Sequence, residues 1–275
     1  MNLPNRSNTC IVIVTFNPDS EFKNNLLQHL EIADKIVIID NNSDVNIDSF
    51  ISKEYLNRIE IIYSKSNKGI AWALNAGINR AKCSSIDWVL TFDQDSFPNK
   101  NILSYYSEVL KNEKNVGIIG TNFSSEIVEI TKVSWENKIT IITSGTLHPM
   151  QIFEKINFYN EKLFIDDVDF DFSLRVSMAG FNVIRIKEPL IKHTLGSPIN
   201  KYGLNSSNHN LIRRYYYGRN HVYLTKTYFS KHPYWIFKKN YFFLKSIIVL
   251  IIVEDNVINK ISSILKGVKD GFKNF

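Results

Sequence analysis

The residues Trp88-Val-Leu-Thr-Phe-Asp-Gln-Asp-Ser96 decide the fold of this chain. An apolar run of β-branched and aromatic side chains is typical of a strand buried in a parallel sheet. The run ends in two carboxylates, Asp93 and Asp95. Open α/β sheets bind ligands at the carboxyl ends of their strands, where two carboxylates can hold a divalent cation against a phosphate. A strand followed by an Asx-type turn, which Ser96 and Pro98 favour, is the alternative that this stretch leaves open.

Strands and helices alternate on both sides of this stretch. We predict strands at 10–16, 35–39, 59–63 and 88–92, and helices at 19–30, 47–52 and 70–81. Further along, we expect a strand at 139–143, a helix at 168–179, a strand at 182–186, an extended segment at 191–193 and helices from 208 onward. This alternation predicts an α/β fold, with a Rossmann-like, mainly parallel sheet flanked by helices and a C-terminal helical appendage.

Composition limits the class of protein. The chain has 275 residues, 44% of them hydrophobic, which is enough for a sizeable core. A net charge of +6 suits an anionic ligand or membrane surface without indicating nucleic acid. Cys10 and Cys83 have neither metal-binding spacing nor a disulfide pattern, which predicts a reducing compartment. The N-terminus lacks an apolar signal segment, and the apolar stretch 242–253 is shorter than the about 20 residues that span a bilayer. We therefore expect a cytoplasmic protein and leave open a peripheral contact with the inner face of the membrane.

The ends of the other predicted strands are also polar. In a parallel sheet these polar ends would share one edge with Asp93; they are Thr15-Phe16-Asn17, Asp40 and Asn67-Lys68-Gly69. Asp40 can accept a hydrogen bond from uracil, thymine or ribose, while free N–H groups and the ammonium at 67–69 suit a phosphate. Each segment is also compatible with an ordinary turn. The chain has no Walker-type loop and no G-x-G-x-x-G run, which disfavours P-loop and dinucleotide-binding proteins.

A second acidic group surrounds the predicted helix start at residue 168. It consists of Asp166, Asp167, Asp169 and Asp171. Helix capping and the helix dipole account for one or two of these carboxylates. A carboxylate beside the apolar residues 163–165 could instead act as a general base. His193, at a predicted strand end, could complete a Mn²⁺ or Mg²⁺ shell begun by Asp95, although a lone histidine is more often structural.

The C-terminal region is aromatic and basic. Arginine and tyrosine alternate over 213–221, a pattern that could stack nucleic-acid bases. No recognisable nucleic-acid-binding module surrounds it, so we expect no nucleic-acid partner. Residues 234–253 mix Trp, Tyr and Phe with Lys, as interfacial helices do, although a helix packed on the domain fits the pattern equally well.

Six motifs in order make the chain resemble the family 2 inverting glycosyltransferases, closest to bacterial rhamnosyltransferases of O-antigen and capsule assembly. They are Val14-Thr-Phe-Asn17, Ile39-Asp-Asn-Asn-Ser43, Asn67-Lys-Gly-Ile-Ala71, Thr91-Phe-Asp-Gln-Asp-Ser96, Thr143-Ser-Gly-Thr146 and Leu163-Phe-Ile-Asp-Asp-Val-Asp169. The resemblance implies a GT-A catalytic domain over 1–205, with a nucleotide-binding half at 9–120 and an acceptor half at 121–205, followed by the helical region 206–275. It implies metal-dependent transfer of a sugar, best L-rhamnose from dTDP-L-rhamnose, to a glycan or a lipid-diphosphate-linked acceptor.

The resemblance also implies roles for single residues. The donor would contact the polar strand ends and the Arg/Tyr-rich segment: Thr15, Phe16, Asn17, Asp40, Asn67, Lys68, Gly69, Asp93, Arg213 and Arg219. Asp95 and His193 would hold Mn²⁺ or Mg²⁺, and Ser144-Gly145-Thr146 would lie on the acceptor side. The base would be Asp166 or Asp167. Rhamnosyltransferase-like members commonly have Tyr at the second position, which makes Asp166 the candidate, whereas related members with paired acids use the second. This chain has both acids, and we favour Asp167.

Three other functions remain open at this point. Another sugar, such as galactofuranose, glucose or galactose from a UDP-sugar, would require a similar site. A nucleotidyltransferase would need a Gly-rich, basic loop after the first strand, which Asn17-Pro18-Asp19 does not supply. A non-catalytic nucleotide-binding protein would need the polar sheet edge but not the acidic segment or His193.

Overall fold

The computed structural model describes residues 2–83, 86–126, 128–193 and 199–274. The chain divides into two compact units. The first consists of residues 1–162 and 172–194, and the second of residues 163–171 and 195–275.

The first unit is built on one mixed sheet. Its strands are β1 (Thr9–Thr15), β2 (Lys35–Asp40), β3 (Ile59–Tyr63), β4 (Trp88–Asp93), β5 (Ser96–Pro98), β6 (Val116–Ser124), β7 (Trp135–Asn137), β8 (Thr146–Pro149) and β9 (Asn182–His193). Within the described residues the strand order is β3-β2-β1-β4-β8-β6-β9-β5, and β7 also pairs with β9. The strands β3, β2, β1 and β4 are parallel, while β8 is antiparallel to both β4 and β6. The near-continuous burial of β1, β2 and β4 explains their unbroken apolar sequences.

Helices cover this sheet. They are α1 (Phe22–Ile32), α2 (Ile70–Lys82), α3 (Ile102–Asn112), α4 (Met150–Ile156) and α5 (Val168–Met178), whose first turn belongs to the second unit. The helix α2 packs closely on the sheet through Gly77. A Cβ atom at this position would lie 2.4 Å from Cγ1 of Val12 in β1, so any residue other than glycine would clash here. This close packing holds the start of α2 near the carboxyl ends of the strands.

The second unit is mainly helical. It contains the hairpin of β10 (Ile199–Lys201) and β11 (Leu204–Ser206), followed by α6 (Leu211–Tyr228), α7 (Pro233–Val253) and α8 (Val257–Asn274). Helices α6 and α8 approach each other at glycines: a Cβ on Gly267 would lie 2.0 Å from the carbonyl oxygen of Tyr215. The buried carboxylate of Glu254 receives hydrogen bonds from Arg214 and, at 2.8 Å, from Lys260. No helix in the described parts of the chain is long and apolar enough to cross a membrane.

The structure confirms the predicted fold class and corrects several elements. The strand predicted at 139–143 is wrong; the strand β8 begins only at Thr146. Ile141 is buried, but its N–H and C=O groups bond with the hydroxyl of Ser173 instead of a neighbouring strand. The helix predicted at 47–52 is a single 3₁₀ turn at 47–50. The segments 182–186 and 191–193 form one strand, β9, in which register shifts accommodate Pro189.

Candidate functional site

Three polar residues end neighbouring strands of the first unit. The register pairs Thr15 of β1 with Asp40 of β2, and Val14 of β1 with Asp93 of β4. The carboxyl ends of these parallel strands therefore bring Thr15, Asp40 and Asp93 to one edge of the sheet, as the sequence predicted.

Asp40 is buried and held in one orientation. Its Oδ1 accepts hydrogen bonds from the hydroxyls of Thr15 at 3.1 Å and Ser43 at 2.5 Å, and its Oδ2 accepts from the N–H of Ser43 at 3.0 Å. Asn17, at φ 49°, donates its N–H to the Ser43 hydroxyl at 2.7 Å. Phe16 beside it is exposed, and its N–H donates to Oε1 of Gln94 at 2.7 Å. The carboxylate is thus held in one orientation and has one of its about four acceptor sites left.

The segment 67–69 is positioned by a side chain that the sequence analysis did not single out. Asn41 donates through Nδ2 to Oδ1 of Asn67 at 3.0 Å and accepts the N–H of Lys68 at 2.9 Å. Gly69, at φ 86°, is the N-cap of α2, and Nζ of Lys68 lies 4.3 Å from the ring centre of Trp72. An ammonium group at a helix N-terminus makes a local environment that suits phosphate.

One three-residue group among the described residues has the composition of a metal site. Ligand atoms of Asp93, Asp95 and His193 all lie within 4.8 Å of one another. His193 lies next to Asp95 because β5 pairs with β9 and Ser96 stands opposite His193 in that pair. Its Nδ1 lies 3.3 Å from Oδ1 of Asp95 and 3.2 Å from the Ser96 hydroxyl. Two carboxylates and an imidazole suit Mn²⁺ or Mg²⁺, so the residues present fit the cation.

The tight turn before β8 contacts the group of Asp93, Asp95 and His193 through hydrogen bonds. The hydroxyl of Ser144 accepts the N–H of Asp93 at 3.2 Å and lies 2.6 Å from that of Ser96. Gly145, at φ 72°, donates its N–H to the carbonyl of Thr91 at 2.8 Å. Thr146 is buried at the start of β8, and Ser144 is the member of this turn with its side chain against the acidic group.

In the second unit, the acidic segment 163–171 has a strained backbone. Phe164, Asp166 and Asp167 have φ angles of 64°, 62° and 62°, in the left-handed region that costs energy for residues other than glycine. One buried side-chain amide, Asn220 Nδ2 in α6, holds the turn. It donates to three carbonyl oxygens at 2.8–2.9 Å, those of Leu163, Ile165 and Asp166.

The two candidate bases have different partners. Arg213 donates to both oxygens of Asp166, through Nε at 3.0 and 3.2 Å and through Nη2 at 2.9 Å. The Nζ of Lys239 donates to Oδ1 of Asp167 at 2.5 Å. The other oxygen of Asp167, Oδ2, is buried and has no hydrogen-bond partner among the described residues. Within the described parts of the chain, Asp167 therefore has one oxygen without a hydrogen bond, while both oxygens of Asp166 are engaged with Arg213.

The remaining acids of the segment differ from this pair. Burial, followed by the nearby charge of Asp167, raises the pKa of Asp169 to about 7. Asp171 is completely buried, and its Oδ1 accepts the hydroxyls of Tyr223 at 3.0 Å and Tyr228 at 2.7 Å. Asp171 therefore joins the start of α5 to α6 and serves the packing of the second unit.

The Arg/Tyr-rich segment lies in α6 and contacts the acidic segment. Besides the pair of Arg213 with Asp166, Arg219 donates through Nη2 to the carbonyl of Leu163 at 3.2 Å and lies 4.5 Å from the ring centre of Tyr216. The sequence analysis missed Asn220 and the pairing of Lys239, because both act on residues more than 50 positions away. The donor contacts predicted for Arg213 and Arg219 stay predictions.

The chain is similar to known proteins at two levels. A model of the family glycosyl transferase family 2 matches residues 10–177. The dTDP-rhamnosyl transferase RfbF of Shigella flexneri is 30% identical over 235 residues, which span 78% of this chain and 78% of that protein.

Solved structures share the fold at low identity. The mannosyltransferase PcManGT from Pyrobaculum calidifontis, in complex with GDP-Man and Mn²⁺, matches with a TM-score of 0.58 and 11% identity over 93% of this chain and 73% of its own. S. aureus TarS 1–349 with UDP-GlcNAc gives a TM-score of 0.58 and 11% identity over 97% of this chain and 73% of its own. A longer TarS structure is matched over only 36% of its length, and over 66% of this chain, with a TM-score of 0.52 and 12% identity. These likenesses show a GT-A fold.

Proposed function

Because the chain belongs to glycosyltransferase family 2, we propose that it transfers L-rhamnose from dTDP-L-rhamnose to an acceptor hydroxyl with inversion. The acceptor is a glycan or lipid-diphosphate-linked glycan of a surface polysaccharide such as O-antigen or capsule. A lipid-linked acceptor would place the reaction at the inner face of the cell membrane. The group of Asp93, Asp95 and His193 at the sheet edge carries the proposal, and the 30% identity to a dTDP-rhamnosyl transferase supports the donor.

The polar edge of the first unit would bind the donor. The fixed carboxylate of Asp40 would accept the imide N–H of thymine or a ribose hydroxyl, and the exposed Phe16 would contribute a ring to the same donor site. The N–H groups before α2 and the ammonium of Lys68 attract the diphosphate. Asp95 and His193, with Asp93 beside them, would hold Mn²⁺ or Mg²⁺. When bound, this cation neutralises charge on the departing diphosphate.

The acidic segment of the second unit would supply the base. The proton of the acceptor hydroxyl would go to Oδ2 of Asp167, the oxygen of this carboxylate that has no hydrogen-bond partner among the described residues. The deprotonated oxygen attacks the anomeric carbon on the face opposite the diphosphate, and the bond to the diphosphate breaks through an oxocarbenium-like state. Lys239 holds the other oxygen and so fixes the direction of the carboxylate. Arg213 neutralises Asp166, which would position the turn without taking the proton.

Donor binding tests the first half of this proposal. Thermal shift of the full chain would be measured with dTDP-, UDP- and GDP-sugars, with Mn²⁺ or with EDTA, because a ligand that binds the native state stabilises it. We expect a cation-dependent shift selective for dTDP-L-rhamnose. Selectivity for a UDP-sugar would refute rhamnose and retain the enzyme class, whereas no shift with any nucleotide would refute the donor site.

Transfer assays of matched variants test the base. Asp167→Asn should reduce transfer by about 10²–10⁴-fold, the usual contribution of general-base catalysis, while leaving dTDP binding unchanged. Asp95→Asn should reduce both. Asp255→Asn, an exposed acid of the second unit, is the control and should retain full activity. If Asp166→Asn abolishes transfer and Asp167→Asn does not, the base is Asp166.

A further inference from the structure

The outward side of α7 is apolar. Six side chains that follow one another at intervals of three and four residues are exposed by 53–81%: Tyr234, Phe237, Tyr241, Leu244, Ile248 and Ile251. We call this row the α7 stripe. Intervals of three and four keep the row on one side of the helix, which is about 30 Å long. Helices at the surface of a globular protein normally place polar residues there, so the stripe requires a separate explanation.

Packing of the second unit does not supply that explanation. Another side of α7 packs against the rest of the second unit, and there Ile236, Phe243 and Leu250 are buried at seven-residue intervals. Phe243 stacks on His221 of α6 at 3.8 Å between ring centres, and the cluster continues to Ile264 of α8. The helix is therefore anchored through one side, and the α7 stripe is apolar surface beyond what anchoring requires.

The charge on α7 indicates what covers the stripe. The helix has three lysines and no acidic residue. Lys239 is engaged with Asp167, whereas Lys238 and Lys245, which precede and follow Tyr241 along the helix, are exposed. A surface that combines aliphatic side chains, aromatic rings and unopposed cations matches an anionic bilayer, in which the rings lie at the headgroup level and lysines reach lipid phosphates.

Other occupants match only part of the surface. A second copy packed through the same helix would cover the apolar side chains but would offer Lys238 and Lys245 no acidic residue, since α7 has none. A nucleic acid would leave Leu244, Ile248 and Ile251 without a partner. We infer that the α7 stripe docks this protein onto an anionic lipid bilayer, with the axis of α7 along the membrane surface. The inference goes beyond the proposed transfer reaction and does not depend on it.

Vesicle flotation without any sugar donor tests the inference on the full chain. Wild-type protein should float with phosphatidylcholine vesicles that contain about 30% phosphatidylglycerol and remain behind with pure phosphatidylcholine. Phe237→Ser combined with Ile248→Ser should weaken binding at least about tenfold. The control, Leu56→Ser combined with Met178→Ser, removes apolar residues elsewhere that are 57% and 48% exposed and should bind as the wild type does.

The lysines provide an independent test. Lys238→Glu combined with Lys245→Glu should weaken binding to the anionic vesicles at least about tenfold, whereas Lys111→Glu combined with Lys114→Glu should not. Circular dichroism confirms that each variant is folded. Absent wild-type binding, equal binding to neutral vesicles, or equal losses in test and control variants would overturn the inference. So would self-association in dilute solution that the α7 stripe variants abolish, because the stripe would then bind a second copy.

Discussion

The ion pair between Asp167 and Lys239 makes a quantitative prediction about the second unit. The two side chains are only 6% and 13% exposed. Removing one partner of a buried pair leaves an uncompensated charge and costs about 3–5 kcal/mol. Asp167→Asn keeps an oxygen that accepts a hydrogen bond, so we expect a loss at the lower end, about 3 kcal/mol in the free energy of unfolding.

Removing both charges together should cost less. The double variant Asp167→Asn, Lys239→Met has no uncompensated charge, and we expect it to unfold within about 1 kcal/mol of the wild type. The coupling energy between the two sites would then be at least about 2 kcal/mol. The exposed pair of Lys82 and Glu154, with side chains 45% and 60% accessible, is the control, and Glu154→Gln should lower the free energy of unfolding far less than Asp167→Asn does.

Urea unfolding followed by tryptophan fluorescence measures these differences. Trp235 is a suitable reporter because its ring centre lies 5.7 Å from Nζ of Lys239. A loss for Asp167→Asn as small as that for Glu154→Gln would refute the argument that the pair is buried and coupled. A double variant as unstable as the sum of the single variants would do the same.

Three further predictions concern other parts of the chain. Burial lowers the pKa of His29 to about 4. The free energy of unfolding should therefore fall as the pH drops from 6.5 towards 4, because the unfolded chain binds the proton in this range and the folded chain does not. Between pH 6.5 and 5 in urea titrations, His29→Asn should lose about 2 kcal/mol less of this free energy than the wild type. Gly267→Ala should destabilise by about 3 kcal/mol, because its Cβ would meet the backbone of Tyr215 at 2.0 Å, and Lys266→Ala should have little effect; equal unfolding midpoints would refute the close packing. Asn220→Ala should lower kcat by about 10²-fold with KM for the donor unchanged, since the turn that carries the proposed base would relax. A proportional rise in KM instead would show that Asn220 acts on donor binding.

The polar edge of the sheet could be predicted from sequence because its signals are local. The strands β1, β2 and β4 are buried on both sides and read as continuous apolar runs. The polar residue that ends each run lies in the same short segment as the strand. Parallel pairing then brings Thr15, Asp40 and Asp93 together without information from elsewhere in the chain.

The middle of the chain could not be predicted in this way. The strands β5 and β8 have three and four residues, too few to show a hydrophobic period. Their positions come from pairing with β9 and β4, which are distant in sequence. Residues 139–143 carry a strand-like composition, but a single buried side chain, Ile141, and a hydroxyl from Ser173 determine their path. The pairing of Ser96 with His193, which completes the candidate metal group, has no local signal at all.

The choice between Asp166 and Asp167 shows the same limit at the site itself. Both residues stand next to each other in one motif, and the residues that distinguish them, Arg213 and Lys239, lie 47 and 72 positions further on. Local rules also fail here, because two aspartates in left-handed conformations contradict the backbone preference of the sequence. Such conformations persist only where surrounding structure holds them, and the amide of Asn220 does so through three carbonyl oxygens. Departure from local preference, enforced by a buried side chain, is expected at functional sites, and the proposed role of Asp167 as the base requires a carboxylate that is fixed in this way.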